Sequence, residues 1–124
     1  LDLLYQPFIR DLVTPGALGS RSNLLRNCFP IFSEPPNPRF RYMRYWIERG
    51  HLKAGVPLLE RQIAALDQLD RFLEHPDHVF RFRMERGHMM FCDNTTVAHD
   101  RDEYVDDPAD PRWLSRLWLA APSP

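Results

Sequence analysis

Prolines at positions 57 and 76 bracket one long apolar stripe at helical spacing, and that stripe constrains the fold more than any other feature. Leu59, Ile63, Leu66 and Leu73 recur at steps of three, four and seven, and Leu58, Leu69 and Phe72 broaden the set. Such spacing places apolar side chains on one face of an α-helix. Pro57 suits a first helical turn, where its nitrogen needs no intrahelical partner. Pro76 is the stop signal, so a helix is expected over residues 57–74. Glu60, Arg61, Asp67, Asp70 and Arg71 read as its solvated face.

What surrounds this helix reads as short elements. Residues 1–10 suit a short helix or strand with Leu3, Leu4, Phe8 and Ile9 inward. Residues 14–27, rich in Gly, Ser and Asn, read as a loop. A strand is expected at 29–33, a proline-rich turn at 33–38 and a strand at 39–45. In that second strand Phe40, Tyr42 and Arg44 share one face, and Arg41, Met43 and Tyr45 the other. Beyond the helix, residues 79–84 alternate strictly, 85–88 form a tight turn and 89–92 a short apolar strand. A second turn at 93–96 leads into Val97-Ala98-His99. A polar loop at 106–111 precedes a last strand, 112–119. One long helix with closely spaced strands predicts an α+β domain built on a sheet sandwich or barrel.

Bulk properties narrow the function classes. A net charge of −1 over 124 residues gives no electrostatic reason to expect nucleic acid or an anionic membrane. No apolar run approaches the ~20 residues that span a bilayer. Cys28 and Cys92 stand far apart without a CxxC pattern, which suits reduced thiols and a cytoplasmic protein. No initiator Met is present, and a fragment or a processed product is expected.

Candidate chemistry gathers near the end. His99, Arg112 and Arg116 lie on successive elements, and the two arginines are four apart. Strand residues four apart face the same way. Two guanidinium groups among Trp113, Leu114, Leu117, Trp118 and Leu119 need anions or water. A carboxylate ligand held by an arginine fork and a structural ion pair to an Asp both meet that need.

The stretch FRFRMERGHMMFCDNTTVAHDR (80–101) followed by DPADPRWLSRLWL (107–119) resembles the C-terminal half of the taurine dioxygenase-like family of Fe(II)/2-oxoglutarate oxygenases. The order is shared: alternating strand, Gly turn, apolar strand, Asn-containing turn, His, acidic proline loop, Arg-x-x-x-Arg strand. The upstream Pro-Ile-Phe-Ser segment, Arg-Tyr strand and Leu-rich helix resemble the family in outline. The resemblance implies part of a double-stranded β-helix of jelly-roll type, incomplete without an N-terminal half. It implies His99 as one ligand of a two-His-one-carboxylate iron site. Arg112 would bind the distal carboxylate of 2-oxoglutarate, and Arg116 the cosubstrate or the substrate. Asn94 matches a turn residue that shapes the site. Arg44, with Arg41 and Tyr42, is a candidate lining residue for a small-molecule substrate, amino acid-like or a secondary metabolite.

Two positions depart from the family pattern. Gly87-His88 stands where the family usually has Gly-Asp, and His99-Asp100-Arg101 where it has His-Gly-Arg, so Asp100 adds a charge beside the ligand. The family's other two ligands come from a His-x-Asp or His-x-Glu pair far upstream. His75-Pro76-Asp77 has that form but reads as the helix terminus, and His51 and His78 read as surface residues. A second chain or a missing N-terminal segment is therefore expected to carry His-x-Asp/Glu. A non-catalytic interaction protein that retains the fold is the alternative.

Overall fold

The computed structural model describes residues 1–11, 21–36, 38–111 and 113–119. A 3-10 turn at Asp2–Tyr5 leads into strand β1 (Phe8–Ile9), helix α1 (Arg21–Arg26), strand β2 (Cys28–Phe29), helix α2 (Arg44–Ala54) and helix α3 (Glu60–Leu73). A second 3-10 turn, Pro76–His78, follows α3. β1 and β2 pair antiparallel with Phe8 opposite Phe29 and Ile9 opposite Cys28. A separate bridge joins Phe32 to Phe40. The architecture is α+β, as expected.

The core lies between the two-stranded sheet and the two longer helices. Leu4, Phe8, Ile31, Ile47, Leu66 and Leu69 form it, with Phe32, Phe40, Tyr42, Leu58, Ala65 and Leu73 packed around it. The expected helix is present but begins at Glu60. The Gln62 side chain reaches back and accepts from the Leu59 amide at 2.9 Å, which satisfies a donor the first turn leaves open. Leu66 and Leu69 face the core, while Leu59, Ile63 and Phe72 remain exposed. The alternation at 40–44 also holds: Phe40, Tyr42 and Arg44 are half-buried, and Arg41, Met43 and Tyr45 are exposed.

Helix α2 is the main departure from expectation. Arg44 and Tyr45 sit in its first turn, and of the strand expected at 39–45 the bridge at Phe40 is what forms. Its buried face is Ile47, Gly50, His51 and Ala54, which carries a single large apolar residue and so leaves no stripe to read. Gly50 is required by a close approach: a Cβ there would stand 2.6 Å from the Arg10 carbonyl carbon. The same crossing carries a hydrogen bond from the Asp11 amide to the Trp46 carbonyl, 2.8 Å. Gly55, at φ 67, closes the helix in the left-handed region. His51 is not a surface residue. It is 6% exposed, its Nε2 accepts from the Ile9 amide at 3.1 Å, and its Nδ1 lies 2.8 Å from the Val56 carbonyl. With Nε2 accepting, the ring proton belongs on Nδ1 and serves Val56.

Arg44 joins α2 to α3. Its Nε donates to Glu48 at 2.7 Å, and one terminal nitrogen donates to Asp67 and Asp70, both at 2.6 Å. The Tyr42 hydroxyl donates to the other Asp70 oxygen at 2.5 Å. These carboxylates, Glu48 first, raise the Arg44 guanidinium above its ordinary range. Burial, then the Asp70 carboxylate, pushes the Tyr42 phenol up.

Two expectations about loops and strands change. Of the loop expected at 14–27, residues 21–26 are helix α1 and 14–20 lie outside the described residues. The segments at 79–84, 89–92, 97–99 and 113–119 belong to no strand ladder among the described residues. An extended segment becomes a strand only beside a neighbour that takes its amide and carbonyl groups. The turns between them are present. The His88 amide donates to Glu85 at 3.0 Å with Gly87 at φ 89, and the Thr96 amide donates to Asp93 at 3.0 Å. Asp93 also accepts from the Thr95 hydroxyl and amide, which hold its carboxyl below the usual range. The Asp110 amide donates to Asp107 at 3.1 Å.

Two outcomes test this account. Gly50→Ala forces α2 off β1 and lowers stability by about 1–3 kcal/mol, seen as a lower urea midpoint with an unchanged slope. The fold holds Tyr42 as the neutral phenol. That contribution is therefore present below the ordinary phenol value of ~10 and is lost as pH rises through the raised folded-state value. In an ultraviolet titration, one of the four tyrosines ionises after the others or only with alkaline unfolding.

Candidate functional site

The turn at 93–96 positions the segment that carries His99. The Phe40 amide donates to the Thr95 carbonyl at 2.6 Å, which ties this turn to the helical part of the molecule. Asn94 in the same turn has a buried Oδ1 without a hydrogen-bond partner. Cys92 enters the turn and His99 leaves it, and the Cys92 sulfur lies 3.6 Å from His99 Nδ1.

His99 meets Arg116 on its other nitrogen. The guanidinium stands 3.0 Å from Nε2. A guanidinium only donates, so Nε2 accepts with its lone pair and the ring proton sits on Nδ1, toward the thiol. This tautomer makes Nε2 the lone-pair nitrogen of the ring, and in this structure the Arg116 guanidinium takes up that lone pair. Arg116 also lies over the Trp118 ring, 5.7 Å from its centroid. The structure thus brings together two of the expected site residues, His99 and Arg116. Arg112 lies outside the described residues.

Arg44 is placed elsewhere. Its partners among the described residues are the carboxylates of α2 and α3, which gives it a structural role at the helix junction. His75-Pro76-Asp77 closes α3: the Asp77 amide donates to His75 Nδ1 at 3.3 Å, and both side chains are exposed. His78 stacks on Phe72 with ring centroids 3.9 Å apart. Asp100 turns back to accept from the Arg101 amide at 2.7 Å. An open hollow of about 400 Å³ is lined by Arg101, Asp102, Glu103, Tyr104 and Asp106, and neither His99 nor Arg116 lines it.

The donor set decides what these residues can hold. Among the described residues no group of three or more His, Cys, Asp or Glu side chains is arranged to hold a metal ion. His99 has a single lone-pair nitrogen, so by itself it could fill no more than one position of a metal's coordination shell. Sequence reasoning missed Cys92 as the partner of His99; the turn between them was the available signal, since a tight turn brings its flanks together.

Among the described residues no helix is long and apolar enough to cross a membrane. Neither the curated proteins nor the solved structures contain a match to this chain. A family model described as taurine catabolism dioxygenase TauD, TfdA family matches residues 14–118. That match spans most of the chain, including His99, Arg112 and Arg116, and the chain therefore belongs to the TauD/TfdA dioxygenase family of oxidoreductases.

Proposed function

We propose that the chain is the C-terminal part, or the small subunit, of a non-haem Fe(II)/2-oxoglutarate-dependent dioxygenase that oxidises a C–H bond of a small organic substrate. The observation that carries this reading is the His99–Arg116 pair, an imidazole with Nε2 presented beside a guanidinium, inside the matched family segment. His99 supplies one iron ligand. Arg112 takes the distal carboxylate of 2-oxoglutarate through its fork. Arg116 turns from His99 to the cosubstrate or the substrate. Iron with 2-oxoglutarate supplies the oxidising chemistry when bound, and the protein's share is to orient and shield it. Amino acid-like and secondary-metabolite substrates suit this site class.

The remaining His-x-Asp/Glu ligands come from a preceding segment or a second chain, which also completes the double-stranded β-helix. The state of residues 80–119 supports this. Phe80, Met89, Phe91, Trp113 and Leu117 are each more than three-quarters exposed, and the extended segments around them lack ladder partners among the described residues. Large apolar side chains on unpaired strands suit a sheet that gains neighbours. The two unpaired thiols, Cys28 and Cys92, suit a reducing, cytoplasmic setting.

The test is turnover in the full assembly, with the polypeptide that carries His-x-Asp/Glu present. Fe(II) and 2-oxoglutarate should yield succinate. His99→Ala and Arg112→Ala should each reduce the rate by at least about 100-fold, as removal of a directly interacting group does. An assembly that binds no metal and forms no succinate would rule the oxygenase reading out.

A further inference from the structure

Among the described residues Arg10 is a buried cation without a counter-ion. It is 3% exposed, and among the described residues one terminal nitrogen donates to the main-chain carbonyls of Pro30, at 3.3 Å, and Arg41, at 2.8 Å. Its Nε is buried and has no acceptor. A second guanidinium shares its aromatic contact and is close enough to act on its charge: the Arg10 and Arg41 Cζ atoms lie 4.3 Å and 4.7 Å from the centroid of one ring, Phe29. Neither arginine has an ion-pair partner among the described residues, whereas Arg44, Lys53 and Arg81 each have one. The stretches outside the described residues contain no Asp or Glu, so no acidic side chain remains there to serve the pair. Burial first, then the Arg41 charge, pulls the Arg10 guanidinium down to about 10. Two like charges on one ring, one of them out of water, are a costly arrangement that an anion would relieve.

We propose that Arg10 and Arg41 form a subsite for the carboxylate of a small-molecule ligand, with the Phe29 ring as its apolar floor. Arg41 is exposed and gives the approach from solvent, while Arg10 contributes the unused Nε–H donor. The unused Nε–H of Arg10 offers one donor and the exposed Arg41 guanidinium the others that a carboxylate's two oxygens need. The subsite also has a backbone link to the segment of His99. Phe40, the neighbour of Arg41, donates to Thr95 at 2.6 Å, and Thr95 lies four positions before His99. Where the oxygenase reading holds, this assigns the substrate class, a carboxylic or amino acid held by its carboxylate; that assignment rests on the reading, and the anion subsite does not.

The experiment follows the arginine Nε–H signals of the full chain by two-dimensional ¹H–¹⁵N NMR. Acetate is the probe, with acetamide and inorganic phosphate for comparison. Acetate should shift the Arg10 and Arg41 signals saturably, and acetamide should not. Arg41→Gln, on an exposed side chain, should keep the helix amide spectrum and weaken acetate binding at least about tenfold. The Arg112→Ala, Arg116→Ala double variant should bind acetate as the unaltered chain does, which separates this subsite from the 2-oxoglutarate site. No saturable shift up to about 100 mM acetate, equal affinity in Arg41→Gln, or binding of phosphate in place of acetate would each overturn the proposal. A failed succinate assay with intact acetate binding would count against the oxygenase reading alone.

Discussion

The crossing of α2 over β1 is the contact on which the other packing depends. Backbone meets backbone there, with no room for a side chain at Gly50 and a direct hydrogen bond from Asp11 to Trp46. His51 completes the crossing by giving the Ile9 amide an acceptor that a two-residue strand cannot find in its own sheet. A sheet this small is marginal alone. Helix α2 covers it and brings Ile47 into the core beside Phe8, and the core residues of α3 then have a surface to pack on.

The second joint is electrostatic. One guanidinium, Arg44, holds three carboxylates from two helices, and Tyr42 shares Asp70 with it. A charge network of this kind adds less stability than its hydrogen-bond count suggests, because each partner gives up water. Its effect is directional: it fixes how α3 is rotated against α2 and so which residues of the stripe are buried. Leu66 and Leu69 face inward beside Asp67 and Asp70, while Ile63 and Phe72 are left outside.

What was legible in the sequence follows from these contacts. Helix α3 carries a long apolar stripe and was readable from period alone, with its start placed three residues early. Phe40, Tyr42 and Arg44 alternate, and their inward face was readable too. Helix α2 was not, because its buried face uses Gly50, His51 and Ala54, residues chosen for close approach rather than for apolar area. His51 looked like a surface histidine for the same reason: its two partners are main-chain groups that no sequence pattern marks. Near the candidate site, His99 and Arg116 were singled out through the family resemblance. Their direct contact, and the thiol of Cys92 behind the ring, depend on how the turns fold back.

The helical part and the region beyond His78 differ in how their amides are held, and this divides the molecule by rate of opening. Amides of α2 and α3 are held in continuous hydrogen-bonded turns over a buried core. Among the described residues from 79 to 119, the main-chain amides bonded to main-chain carbonyls are those of Val79, His88, Thr96, Val97 and Asp110, all within local turns. Local bonds break one at a time, whereas core helices open together. Hydrogen exchange in this chain would therefore be fast along most of the segment that carries His99 and slow in the helices. Any neighbour that adds a strand there would register as protection arising where none stood before.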